Sequence, residues 1–364
     1  MAAVLLSHAI AMGRLIWTLT ALHLLTVGPA FSQAAERAIV DKDRERGSDN
    51  VPFRFTTIVN TVHLTVSVVD KKGRLVPDLS REDFRVLEDD LHQKITYFSR
   101  GDDAPVDIVL LVDASGSMEV TEKAANARNA AIQLIHSLGP EDRVAVYAFD
   151  RELYRLTDFT KSKEDAINAL TRLEPFGSTA LYDAVATLSD VVIHEGFGRR
   201  AIVITTDGVD TSSEISVEDA VARAKSVDLP VYAIRVISPV DDPRSDLFLG
   251  IHGAHFQGSD ALRRFTSETG GQTFEGSEWG QLTEASRRIR QEVKTQYRIG
   301  YTPDNPRTDD GFRQIDVSTR RKGVEVRTRR GYYPTKRSSD SDTDSAAGAE
   351  SLPLPLERNN RSLF

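Results

Sequence analysis

Three separated stretches of this chain carry residue types and spacings that could do chemistry. Asp113-Ala114-Ser115-Gly116-Ser117 sets one carboxylate and two hydroxyls on a glycine-containing turn. These are hard oxygen donors, suited to Mg²⁺, Mn²⁺ or Ca²⁺, whereas softer ions want thiolate or imidazole. Gly177-Ser178-Thr179-Ala180 adds a hydroxyl, Thr179, where a helix is predicted to open, and Thr206-Asp207-Gly208 ends an apolar run with a second carboxylate, Asp207. Asp-x-Ser-x-Ser alone is a weak pattern, expected by chance in roughly one such chain in ten at average residue usage. Its place directly after a buried-looking strand strengthens it. The competing reading is that these polar side chains merely cap helices and turns, as Ser and Thr often do.

Positioning such residues requires a particular scaffold. The run DIVLLV at 107–112 is continuously apolar, the mark of a strand covered on both faces in a parallel sheet. Comparable runs recur at 143–149, 200–205 and 230–236, and helical patterns at 124–138, 162–173, 180–194 and 217–227 fall between them. Two further helices, at 260–269 and 281–295, are predicted around a last strand at 271–274. This alternation predicts an α/β fold, a doubly wound and mainly parallel sheet flanked by helices. Ligands of open α/β sheets bind at the carboxyl ends of the strands. The three loops are therefore expected to converge at one rim, bringing two carboxylates and three hydroxyls.

The flanks read differently. Val62, Leu64, Val66 and Val68 alternate with polar residues, Asp70-Lys71-Lys72-Gly73 supplies a turn, and 84–87 and 95–98 are strand-like. Strands are predicted again at 296–301, 312–318 and 324–328. Each flank is too small for a strong core of its own. The expectation is one all-β sandwich, split in sequence by the inserted α/β domain; the alternative is two separate β appendages.

The whole chain has 364 residues and no cysteine, which removes disulfide scaffolds, thiol catalysis and thiolate metal sites. Lys plus Arg is 46 against 54 Asp plus Glu, a formal net charge of -8, which disfavours a nucleic-acid binder. An apolar stretch at 15–27 follows Arg14 and precedes small residues at Ala30, Ser32 and Ala34. That layout predicts a secretory signal peptide over 1–34, with Met12 a possible true start; an uncleaved anchor or buried helix is the alternative. No other stretch approaches a membrane span, so a periplasmic or extracellular protein without an integral membrane segment is expected. The predicted organisation is signal peptide 1–34, flexible leader 35–50, first β part 51–103, α/β domain 104–294, second β part 295–335 and disordered tail 336–364.

The set Asp113, Ser115, Ser117, Thr179 and Asp207, in that order, resembles a von Willebrand factor type A domain with an intact metal-ion-dependent adhesion site. The resemblance spans about 106 to 294. It implies that Ser115, Ser117 and, in the ligand-competent state, Thr179 contact a divalent cation, Mg²⁺ first and Mn²⁺ or Ca²⁺ next, with Asp113 and Asp207 acting largely through water. It implies a protein partner offering a carboxylate to the ion, and a binding module, not an enzyme. The stretches Pro77-Asp78-Leu79-Ser80-Arg81-Glu82-Asp83-Phe84 and Gly331-Tyr332-Tyr333-Pro334 also resemble exported bacterial proteins, acidobacterial in type, that carry such a domain.

Other signals are weaker. His252 and His255 fall in a Gly-rich segment at 250–258, expected to be a surface loop, and no third ligand has suitable spacing for a transition metal. Between Arg287 and Arg337 stand 15 Lys/Arg against 6 Asp/Glu, read first as a solvated strand face and second as a contact for an anionic partner. No nucleophile elbow or phosphate loop is present. A metal-dependent hydrolase remains the alternative function, as does an envelope protein whose metal is only structural.

Overall fold

The computed structural model describes residues 61–334 apart from 102–103, 117, 119–122, 176, 193–198, 239–252, 305–308 and 310, with only the backbone described at 253–257. The expected signal peptide, leader and tail lie outside the described residues, as does Ser117.

The described residues open with four strands, β1 (Val62–Asp70), β2 (Phe84–Glu88), β3 (Leu91–Gln93) and β4 (Ile95–Ser99). The α/β region follows: β5 (Val106–Asp113), α1 (Lys123–Ser137), β6 (Arg143–Phe149), β7 (Leu153–Thr160), α2 (Lys163–Thr171), α3 (Leu181–Val192), β8 (Arg199–Thr206), α4 (Val217–Ser226), β9 (Val231–Val236), α5 (Gly253–Thr269), β10 (Thr273–Gly276) and α6 (Trp279–Thr295). Four strands close the described chain, β11 (Tyr297–Tyr301), β12 (Arg313–Thr319), β13 (Val324–Arg327) and β14 (Gly331–Tyr332).

The expected central sheet is present, six-stranded in the order β10-β9-β8-β5-β6-β7 and parallel except for β7. Every residue of β5 is buried. Its side chains divide by parity: Ile108, Leu110 and Val112 enter one core with Ala130 and Leu134 of α1 and Ile289 of α6, while Val109 and Leu111 enter the other with Leu188 of α3 and Phe265 of α5. Because both faces are covered, the strand reads as an unbroken apolar run. The chain leaves β5 toward β6 and later returns to its other side as β8, so the strand order reverses between β5 and β8. That switch point is where an open sheet forms its crevice.

The antiparallel edge strand β7 was not expected. Its pairing with β6 shifts register between Val144 and Val146 and again between Val146 and Tyr147, which breaks the period-2 signature. Helix α5 is also longer than predicted. It starts at Gly253, so the expected surface loop at 250–258 is corrected: His255 lies on the first turns of a helix, and His252 lies outside the described residues.

The flanks join as expected. One sheet runs β13-β1-β11-β4 and the other β14-β12-β2-β3, each mixing strands from before and after the α/β region. Val62 pairs with Tyr301 and Val86 with Val317, and the two sheets enclose Leu64, Val66, Phe84, Val86, Tyr297, Ile299 and Val317. Deep in this sandwich, Tyr301 and Tyr332 both donate from their hydroxyls to Glu88 Oε2, at 2.6 and 3.2 Å. Two phenols on one buried carboxylate hold the last strands against β2 and satisfy a charge that would otherwise be costly to bury.

Candidate functional site

Four of the five residues singled out from the sequence lie in the described part of the switch-point rim. Asp113 ends β5, Ser115 follows in the next turn, Thr179 precedes α3 and Asp207 follows β8. All four are at most 2% exposed.

Backbone bonds stitch their loops together. Ala114 N donates to Phe149 O and Gly116 N to Gly177 O, at 2.8 and 2.9 Å, which ties the first loop to β6 and to the second loop. Thr211 N and Ser212 N both donate to Thr179 O, at 2.9 and 3.0 Å, and Thr179 N donates to Thr211 Oγ1 at 2.9 Å. The third loop also closes the start of α3, where Tyr182 N and Asp183 N donate to Ser213 Oγ. Gly177 and Gly208 have φ of +79° and +84°, a region that side chains rarely enter. At Gly208 a Cβ would also stand 2.8 Å from both Gly258 O and the Leu262 side chain.

Asp113 is spent on positioning. Its Oδ1 accepts from Ser115 N at 2.9 Å and Ser115 Oγ at 2.6 Å, and its Oδ2 accepts from Thr206 Oγ1 at 2.5 Å. Thr206 in turn accepts from Gly208 N at 2.9 Å, so the carboxylate links the β5 and β8 loops. The Ser115 hydroxyl is thus oriented by Asp113 through its proton. Burial pushes the Asp113 carboxyl up to about 6; the hydrogen bonds from Ser115 and Thr206 oppose the rise, and the nearby Asp207 charge adds to it.

Asp207 is held from three sides. Its Oδ1 accepts from Val209 N at 3.1 Å, its carbonyl accepts from Arg235 Nε at 3.2 Å, and its Oδ2 stands 3.2 Å from the Lys123 ammonium. Arg235 is fixed by Glu275 at 3.0 Å. Sequence reasoning missed Thr206, Arg235 and Lys123. In the sequence Thr206 stands only as a neighbour of Asp207, and nothing in the spacing marks Lys123 or Arg235 as belonging to the rim.

The arrangement fits a hard divalent cation. The described donors are carboxylate and hydroxyl oxygens, and a positive group, the Lys123 ammonium, already lies against Asp207. Among the described residues no cluster of three or more His, Cys, Asp or Glu is placed to hold a metal, so a transition-metal centre of that kind has no support there. A broad cleft of about 1500 Å³ between the sandwich and the α5 side shares none of the rim residues. Several basic residues near the C-terminal strands are engaged within the chain: Arg321 with Asp78 at 2.6 Å, Arg327 with Glu292 at 2.9 Å and Arg330 with Glu268 at 3.7 Å. No helix among the described residues is long and apolar enough to cross a membrane.

Residues 108–209 match the family model of the von Willebrand factor type A domain, so the chain carries a domain of this type. That span contains all five candidate positions. Among solved structures, the chain is similar to a von Willebrand factor type A protein from Catenulispora acidiphila, at 12% identity over 75% of this chain and 73% of that one, with a TM-score of 0.43. It is also similar to the conserved hypothetical protein BatB from Bacteroides thetaiotaomicron, at 18% identity over 52% of this chain and all of that one, TM-score 0.41. A third similar structure is the PilB minor pilin from Streptococcus sanguinis, at 15% identity over 53% and 62% of the two chains, TM-score 0.41.

Proposed function

We propose that this is an exported protein whose von Willebrand factor type A domain binds a partner protein through a divalent cation, Mg²⁺ first, at the switch-point rim. The observation that supports it most is the use of Asp113. A buried carboxylate that spends its oxygens orienting Ser115 and Thr206 is arranged to present hydroxyl lone pairs to a cation, not to abstract a proton.

Ser115, Ser117 and Thr179 would hold the ion through their hydroxyls, while Asp113 and Asp207 orient and neutralise from behind. When bound, the ion supplies an electrophilic centre that attracts a carboxylate from the partner. The chain's own part is to keep the three loops in register, through the Gly116–Gly177 and Thr211–Thr179 bonds, and to bury the donors so that water does not compete for them. Oxygen positions already committed to hydrogen bonds leave no strong base at the described rim, so recognition suits it better than hydrolysis.

Thermal melting of the chain from Ala35 onward, in chelator and in Mg²⁺, Mn²⁺ or Ca²⁺, tests the metal. An ion that binds only the folded state raises the melting point with concentration. The rise should vanish in a Ser115→Ala/Ser117→Ala variant; no rise in the parent would refute the reading. In the ion that works, a peptide bearing one glutamate should bind and its glutamine counterpart should not. Equal binding of the two would remove the carboxylate from the proposal.

A further inference from the structure

Lys123 is a charged side chain in an unusual place. It is 7% exposed, and lysine is almost never buried without a partner. It lies in the first described turn of α1, toward the end of a helix where a positive charge is disfavoured. Its Nζ stands 3.2 Å from Asp207 Oδ2, on a carboxylate that is itself 2% exposed.

The surroundings say what the ammonium is for. Thr206, the residue before Asp207, donates to Asp113 Oδ2 at 2.5 Å, and both carboxylates are 2% exposed, so the two share one buried rim. Val209 N and Arg235 reach Asp207 through Oδ1 and the carbonyl, which leaves Oδ2 to Lys123. Oxygens of that carboxylate are also what a divalent ion at this rim would draw on.

We propose that Lys123 is a tethered counter-cation that stabilises the metal-free domain and competes with the divalent ion for Asp207, setting the metal affinity lower than the oxygen donors alone would give. This rests on the metal reading above. A single positive charge a few ångströms from a divalent ion weakens its binding by about tenfold even with the screening of bulk water, and by more in a buried site. The affinity is thereby tuned by a residue that need not itself touch the ion. A partner that supplies further negative charge would then be needed for full occupancy.

Titration of Mg²⁺ and Mn²⁺ into the full chain by calorimetry, with melting in chelator and in saturating ion, tests this on the parent, Lys123→Met, Lys123→Gln and a Ser115→Ala control. Both neutral variants should bind the ion at least about tenfold more tightly than the parent. They should melt lower than the parent in chelator, with that deficit shrinking or reversing in saturating ion. The Gln variant keeps a donor for Asp207 and decides the matter if the Met variant does not fold. If the parent binds and Ser115→Ala does not, but the neutral variants bind no more tightly, Lys123 is only a structural ion pair and the metal reading survives without it. An equal melting deficit in chelator and in ion would say the same. If neither parent nor variants bind, the metal reading fails and this proposal with it.

Discussion

Replacing Asp113 by Asn should stabilise the metal-free domain at neutral pH, against the usual outcome for a buried polar residue at a candidate site. Burial and the neighbouring Asp207 charge raise the Asp113 carboxyl from 3.8 in the unfolded chain to about 6 in the folded one. Between those values the folded state keeps a proton that the unfolded state has released, so stability falls as pH rises through the window. Above about 6 the ionised side chain carries the full cost, a shift of about two units or about 3 kcal/mol. Asparagine removes that cost but turns an N–H₂ toward Thr206 or Ser115, displacing one hydrogen bond worth about 1 kcal/mol. The expected net gain is on the order of 1–2 kcal/mol, read by urea unfolding in chelator at pH 7.5. Lowering the pH to 4.5 should shrink the difference between parent and variant, because the parent then holds its proton. Saturating Mg²⁺ should reverse the order, since the ion stabilises only the chain with its carboxylate intact. An asparagine variant that is less stable than the parent in chelator, by the same amount at both pH values, would refute the reasoning: the carboxylate would then be stabilising by its hydrogen bonds alone.

Three other substitutions probe separate parts of the argument. Thr179→Ala removes the hydroxyl but leaves the backbone bonds from Thr211 and Ser212 to its carbonyl; it should lower the ion-dependent rise in melting point while costing no more than about 1 kcal/mol in chelator. Gly208→Ala forces a side chain into φ +84° and against Gly258 O, and should destabilise by about 2 kcal/mol or more with weakened ion response, seen by the same melts. Tyr301→Phe leaves Glu88 with one phenol in place of two; unfolding should show a loss of about 1.5–3 kcal/mol with the ion response unchanged, because Tyr301 and Glu88 belong to the sandwich sheets and the rim to the central sheet.

Much of the scaffold was legible because its signals are local. Strand β5 reads as DIVLLV since helices cover both of its faces, and β1 alternates since only one of its faces meets the sandwich core. The joining of the two flanks needed only the argument that neither could bury enough on its own. What escaped was non-local or irregular. Strand β7 hides behind two register shifts, β14 is two residues long, and α5 begins in a glycine-rich stretch that looks like a loop. The register shifts conceal the period of β7 beside its neighbour β6, while β14 pairs with β12 and α5 packs on α4 and β9, partners that no short window contains.

The candidate site divides the same way. Asp113, Ser115, Thr179 and Asp207 could be found because the ends of parallel strands are predictable from the strands themselves, and the polar residues just beyond those ends must share a rim. The groups that orient them could not. Lys123 comes from the start of a helix 84 positions before its partner, and Arg235 from the end of the next strand over, both of types that are ordinarily exposed. Their burial follows from the charge they face: two carboxylates at one switch point demand compensation, and the chain supplies it with a lysine and with hydroxyl and amide donors. Under the proposed metal reading, a rim that receives a cation must balance its own negative charge before the ion binds. The residues that provide that balance therefore help set the affinity, and they are the ones that a search for ligand motifs passes over.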